Sequence, residues 1–255
     1  MQQDAILEAA RLLVQARRDG RPLPALPTTT QPADFAEAWA IQEAMLALLG
    51  EKAVAYKVAN ITPESAMWGA VLQSRVRQAP ATFAAAQVPM LGVEPEIAFR
   101  LEEEVGPAHR SLTLEAFDRM TSVLTTIEIV DTRFTSYEGT PLLHRAADFM
   151  SNGGLVLGEV WTGVRRDELA ALEVTVEIGG TVAARVKGGH ANGDPRLPAL
   201  GFLQAPGRPA VIPRGTVITT GSYAGLLRAR PGDTVTARFT GHTPISLRFV
   251  TETDS

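Results

Sequence analysis

Cysteine is absent from the 255-residue chain. Disulfides, zinc-thiolate sites and thiol nucleophiles are excluded together, and the lack fits a reducing compartment, here expected to be the cytoplasm. There is no basic stripe. The formal net charge of −4 comes with acids and bases mixed along the chain, so the electrostatic footprint of a nucleic-acid binder is missing. No run of about eighteen uninterrupted apolar residues provides a membrane span. The opening segment "MQQDAILEAARLLVQARRDG" lacks the basic start, apolar middle and cleavage site of a signal peptide. Neither a P-loop nor a dinucleotide fingerprint occurs in the glycine-rich pieces "SNGGLVLG" and "KGGHANGDP". His109, His144, His190 and His242 are scattered and form no HxH or HExxH, and Ser151 lacks the G-x-S-x-G setting of a nucleophile elbow.

What remains is an ordinary core-forming composition, 45% hydrophobic, arranged in two textures. Ile6, Leu7, Ala10, Leu13 and Val14 recur at three- and four-residue steps and predict a helix stopped by Gly20 and Pro22. After the proline-rich "LPALPTTTQP", the segment "ADFAEAWAIQEAMLALLG" predicts a second helix with Gly50 as its C-terminal cap. Residues 1–52 thus read as an N-terminal helical region and 53–255 as a β-rich core. The core's strands are "AVAYKVA", "VEPEIAFRL", "LTTIEIVDTRF", "GGLVLGEVW", "LEVTVEIGG", "TVAARVKGG", "TVITTGSYAG", "DTVTARFTG" and "SLRFV", with "TLEAFDRMTSVL" as an intervening helix. The fold class is α+β, mostly β.

Chemistry concentrates in carboxylates set among apolar residues. In "GVEPEIAFRL" strand alternation points Glu94 and Glu96 to one face, and Glu128 sits between Ile127 and Ile129. An unpaired carboxylate in such surroundings costs several kcal/mol, so each needs compensation. An all-oxygen set without cysteine or histidine suits a hard divalent cation such as Mg²⁺ or Mn²⁺; an edge strand or ion pairing would serve as well. Lys57, a lone cation in "AVAYKVAN", is either desolvated, with a lowered pKa useful in acid-base work, or reaches past the sheet to water. Asp131 and Arg133 read as a structural ion pair on the face opposite Glu128. In "ITTGSYAG" the backbone amides and Thr220 could meet a carboxylate or phosphate oxygen, and a plain turn explains the same residues.

The ordered set "YKV", "VEPEIAF", "IEIVDTRF", "AADFMSNGGLVLG" and "ITTGSYAG…PGDTV" resembles the 2-keto-4-pentenoate hydratase and 4-oxalocrotonate decarboxylase family, within the fumarylacetoacetate hydrolase superfamily. The resemblance runs over nearly the whole chain. It implies a mixed-sheet core of the fumarylacetoacetate hydrolase C-terminal type behind a helical start, and a homo-oligomer that acts on a small 2-oxo or 2-enol acid in the breakdown of aromatic compounds. A complex with another enzyme of a meta-cleavage pathway is a further implication. It places a Mg²⁺ or Mn²⁺ ion on Glu94, Glu96 and Glu128, a catalytic role on Lys57, and substrate binding on Thr220, Gly221 and Ser222. Several positions depart from the family pattern. "KVANIT" stands for KVGLT, "ADFMS" for ADNAS, "GDPRLP" for GHPL, and Ser74 in "GAVLQSRV" takes the place of an aspartate. Hydration of a 2-hydroxypenta-2,4-dienoate-type acid ranks first on this reading. Decarboxylation of 4-oxalocrotonate, carbon-carbon hydrolysis of an acylpyruvate, and a non-catalytic partner subunit are the alternatives.

Overall fold

The structure, a computed structural model, describes residues 1–60 and 62–251. Ile61, within the "KVANIT" segment, lies outside the described residues. Helix α1 (Gln3–Asp19) ends at Gly20, and α2 (Phe35–Leu49) starts on the Asp34 side chain, which accepts from the Glu37 amide at 2.9 Å. The expected cap at Gly50 is present, with φ 68° and its amide on Leu46 and Ala47 carbonyls. Strands then follow in close order: β1 (Ala53–Ala59), β2 (Met67–Leu72), β3 (Val76–Gln78), β4 (Ala81–Ala84) and β5 (Gly92–Leu101). After α3 (Leu114–Met120) come β6 (Thr121–Val130), α4 (Leu142–Ala147), β7 (Asn152–Val160), β8 (Glu173–Ile178) and β9 (Thr181–Lys187). The chain finishes with α5 (Arg196–Gln204), β10 (Val217–Ser222), β11 (Leu227–Arg228), β12 (Thr234–Phe239) and β13 (Ile245–Val250).

Two mixed sheets result. One runs β2-β1-β10-β5-β6-β7-β3 with β11 added on β5, and the other runs β4-β13-β12-β8-β9. The α+β expectation, with a helical N-terminal region, holds. Boundaries shift where tertiary pairing overrides local propensity. The helix read over 113–124 stops at Met120, because residues 121–124 pair with the end of β5. The strand read through Phe134 stops at Val130, where Asp131 and Arg133 turn inward to a buried ion network. Short β2, β3 and β4 carry too few alternating residues to stand out from sequence.

The larger sheet rolls up. Its terminal strands, β2 and β3, are consecutive in the chain and separated only by residues 73–75, so the two edges return to each other. Alternation gives this sheet an inner and an outer face. The inner face holds a separate apolar cluster of Ala55, Val71, Ala98, Leu124, Leu155, Leu157 and Val217. The outer face, with Ile97, Phe99, Val123 and Ile127, shares one continuous core with Ala9, Leu13, Ile41 and Met45 of the N-terminal helices and with Phe239 and Phe249 of the second sheet. Edge strand β2 is protected by a side chain acting as a strand neighbour. The Gln42 amide accepts from Ala70 N–H at 3.0 Å and donates to the Trp68 carbonyl at 3.2 Å and the Ala146 carbonyl at 2.6 Å.

Behind β6 and β7 lies the buried network. Arg133 donates Nε to Asp148 at 2.6 Å and Nη1 to Asp131 at 3.2 Å, and its own amide binds Asp148 at 3.0 Å. All three side chains are nearly inaccessible. The structural ion pair expected for Asp131 and Arg133 is therefore present, with Asp148 as its stronger member. Removing one partner strands a buried charge, which costs about 3–5 kcal/mol. Asp148→Ala is expected to lower the unfolding free energy by that amount in urea denaturation, and a loss below about 1 kcal/mol would contradict this account.

Candidate metal centre

One strand register assembles the site. Glu94 of β5 lies directly opposite Glu128 of β6, and Glu96 opposite Thr126, so both β5 glutamates share the inner face with Glu128. On the far side of β10, Lys57 pairs with Thr219, whose partner across β5 is Ala98, again on the inner face. The apolar inner cluster forms a floor beneath these groups. Oxygen atoms from Glu94, Glu96 and Glu128 lie within 4.8 Å of one another. Glu96 and Glu128 are fully buried, while Glu94 is half-buried toward the opening.

Each buried carboxylate has a defined set of donors. Lys57 Nζ lies 2.7 Å from Glu128 Oε1, and Asn152 Nδ2 donates to the same oxygen at 3.0 Å. Among the described residues, Glu128 Oε2 is buried with no hydrogen-bond partner. Glu96 Oε2 accepts from the Thr219 hydroxyl and, at 2.9 Å, from the Gly221 amide. That amide points inward because β10 is irregular between Thr219 and Ser222, with Gly221 at φ 106°, a conformation open to glycine.

Electrostatics leave this cluster short of positive charge. Burial, followed by the charges of Glu128 and Glu94, pushes Glu96 up to about 8. Burial also pushes Glu128 up to about 7, against the pull of Lys57. For Lys57 the lowered pKa expected from desolvation is corrected. Burial does pull it down, but Glu128, Glu94 and Glu96 together outweigh burial and hold the ammonium above its usual range. With all three carboxylates ionised, one lysine leaves two negative charges, the complement of a divalent cation. The orphaned Glu128 oxygen and the all-oxygen donor set fit a hard ion of this kind.

The turn at 220–222 is placed differently from expectation. The Thr220 hydroxyl donates to the Ile97 carbonyl at 2.8 Å on the outer face, and its own carbonyl pairs with His190 Nε2 at 2.8 Å. The Ser222 hydroxyl donates to the Gly225 carbonyl at 3.0 Å inside the turn. Of the three residues, only Gly221 meets the carboxylates. Thr219, which the sequence reading missed, does so instead; its pairing with Lys57 on one side and Ala98 on the other is what turns it inward. Asn152 was missed as well, and "SNGG" carries no local signal for it. Ser74 sits exposed on the connection from β2 to β3, its amide on Glu51 at 3.3 Å, and does not join the cluster.

Outward from the carboxylates the inner face becomes apolar apart from Asn152, the partner of Val130, whose side chain is turned back onto Glu128. Gly92 pairs with Val130 and Ala59 with Met67, each two residues beyond a site residue on its strand. A Cβ on Gly92 would lie 2.9 Å from Leu226 Cδ1, and one on Gly69, opposite Lys57, would lie 2.9 Å from Met150 Cβ.

No protein-family model matches the chain. It is 30% identical over 162 residues to a 4-oxalocrotonate decarboxylase of Pseudomonas sp. (strain CF600), and 31% identical to one of Pseudomonas putida. Over that part of its length the chain is similar in sequence to 4-oxalocrotonate decarboxylases. Each match covers 62% of this chain and spans 60% of the curated relative's length. The structure of 4-oxalocrotonate decarboxylase from Pseudomonas putida G7, complexed with magnesium and adipate, superposes with a TM-score of 0.85 at 20% identity, covering 98% of this chain and 99% of that one. Fumarylpyruvate hydrolase from Pseudomonas aeruginosa, in complex with Mn²⁺ and pyruvate, follows the fold at a TM-score of 0.56 and 12% identity over 78% and 89% of the two chains. The resemblance read from the sequence therefore holds. Among the described residues no helix is long and apolar enough to cross a membrane.

The raised carboxylates make a pH prediction. A carboxyl with a folded-state pKa above its unfolded value binds more protons when folded, so stability falls as pH rises from about 4.5 toward 8. With chelator present, the melting temperature should decline between pH 5 and 8. With Mg²⁺ or Mn²⁺ the decline should flatten, since a bound cation favours the ionised form. Identical pH profiles with and without metal would contradict this.

Proposed function

We propose that the chain is a divalent-metal-dependent lyase for 2-oxo or 2-enol acids, and that its reaction is decarboxylation of a 4-oxalocrotonate-type dioic acid. One observation carries the choice: a charged inner cluster of three carboxylates and a lysine is followed outward by an apolar row. Glu94, Glu96 and Glu128 would hold Mg²⁺ or Mn²⁺. When bound, such an ion supplies Lewis acidity toward a carboxylate and an adjacent 2-oxo oxygen, stabilising negative charge there.

Lys57 keeps a proton at Nζ beside Glu128, ready for the oxygen on which charge accumulates. The Gly221 amide and Thr219 hydroxyl fix Glu96. In the substrate the bond from C5 to the distal carboxylate breaks and CO₂ leaves. The electron pair passes along the conjugated chain to the C2 oxygen, which takes a proton to give 2-hydroxypenta-2,4-dienoate. Met67, Val130, Met150 and Leu226 give the distal carboxylate poor solvation, which favours its loss as neutral CO₂. Hydration, ranked first on sequence grounds, and acylpyruvate hydrolysis both need a base to direct water at the tail. Ala59, Met67, Gly92 and Val130 offer none. The names of the curated relatives support the same ranking. In this reading residues 1–52 are the helical region and 53–255 the catalytic core of a cytoplasmic homo-oligomer serving the breakdown of aromatic compounds.

Proton NMR with Mg²⁺ or Mn²⁺ tests it. The purified protein is given 4-oxalocrotonate in one tube and 2-hydroxypenta-2,4-dienoate in another, each with a chelator control. Metal-dependent CO₂ release in the first is the expected result; 4-hydroxy-2-oxopentanoate in the second, with a silent first tube, would establish hydration instead. Glu94→Ala and Glu128→Ala should each abolish metal binding while the protein stays folded. Lys57→Ala should lower turnover by about 10²-fold or more, with a smaller effect on metal affinity, and wild-type turnover would remove its role.

A further inference from the structure

We infer that Asn152 is a positioning residue for Glu128, and that Arg17 of the N-terminal helix acts on the centre through it. The inference rests on Glu128 being a metal ligand. Lys57 and Asn152 both hold Glu128 Oε1, at 2.7 and 3.0 Å, which fixes the carboxylate plane and leaves Oε2 as the oxygen available to a cation. Lysine alone is a rotatable point charge. The amide is planar, buried, and also tied through Nδ2 to the Gly154 carbonyl at 3.3 Å, so it supplies the directional half of the clamp.

Asn152 is itself held from behind. Its carbonyl accepts from Arg17 Nη2 at 3.0 Å and Arg133 Nη2 at 3.2 Å. Arg133 is locked by Asp148 and Asp131, and Arg17 reaches in from α1, passing the Phe149 ring at 5.7 Å. The three residues before Asn152 are Phe149, Met150 and Ser151, with φ of 50°, 53° and 59°. Three consecutive non-glycine residues in the left-handed region form a costly connection. Their effect is to end α4 and deliver Asn152 to the first position of β7, beside Glu128, where β6 and β7 are out of regular register. Arg17 and Arg133 together balance Asp131 and Asp148, so the support is neutral and adds no charge to the centre.

The test is Mn²⁺ affinity, read by electron paramagnetic resonance on the full chain, beside the melting temperature without metal. Asn152→Ala should weaken Mn²⁺ binding by about 10- to 100-fold, and at saturating metal should change kcat less than it raises the metal requirement. Arg17→Met, which keeps the apolar stem of a side chain that enters the cluster from its edge, should weaken binding by about two- to fivefold. A purely structural role would lower the melting temperature and leave Mn²⁺ affinity unchanged. Unchanged affinity in Asn152→Ala would overturn the role of the amide, and unchanged affinity in Arg17→Met would overturn the link to α1. A wild-type protein that binds no Mn²⁺ would remove the metal reading itself, and this role with it.

Discussion

A carboxylate buried in the wall of a rolled sheet is the constraint around which this molecule is built. Glu128 is inaccessible, flanked by Ile127 and Ile129, and faces two more glutamates across the strand pair β5–β6. Burial of one such group unpaired costs several kcal/mol, and repulsion from its neighbours adds to that. The fold answers from both flanks, with Lys57 arriving from β1 and Asn152 from β7. Neither answer is complete, since the lysine offsets only one of three charges and one oxygen of Glu128 has no partner among the described residues. That residual imbalance separates a binding site from a structural ion network. The Arg133, Asp131 and Asp148 group a few residues away shows what the paired version looks like.

Rolling the sheet makes such a cluster possible. A flat sheet would open its inner face to water, whereas here Ala98, Leu124, Leu157 and Val217 seal the space beneath the carboxylates. Two local irregularities then aim backbone at the cluster: the break in β10 turns the Gly221 amide onto Glu96, and the left-handed turn from Phe149 to Ser151 presents Asn152. Left-handed residues cost roughly 1–2 kcal/mol each. The Arg133 network and the fully buried Phe149 lie directly against this turn and hold it. Gly69 belongs to the same arrangement, because a side chain there would collide with the Phe149 carbonyl.

The carboxylates and Lys57 were legible in the sequence because each breaks an apolar run, and period-two alternation assigned Glu94 and Glu96 a common face. What escaped depends on long-range register. Thr219 and Thr220 are adjacent and chemically identical, and only the pairing of β10 with β1 and β5 says which points inward. Asn152 sits in a stretch of small residues and becomes significant when β7 lies beside β6. The upward shift of Lys57 was hidden for a related reason. Desolvation can be read from the strand's own composition, but the three opposing charges come from two other strands. The departure at Ser74 shows the converse, since a position in a pattern says nothing of its place in space: Ser74 is exposed on the connection from β2 to β3.

The same geometry bears on which reaction the centre performs. Enolate-stabilising chemistry at the floor would serve hydration, decarboxylation or hydrolysis alike, since each draws electron density toward a 2-oxo oxygen. Selection must therefore come from the groups that meet the substrate's tail. A water nucleophile needs a polar, proton-accepting wall, whereas a departing carboxylate needs to be poorly solvated and left unpaired. Ala59, Met67, Gly92, Val130, Met150 and Leu226 meet the second requirement. On the proposed function, the identity of the reaction would be set one strand row outward from the residues that would hold the metal.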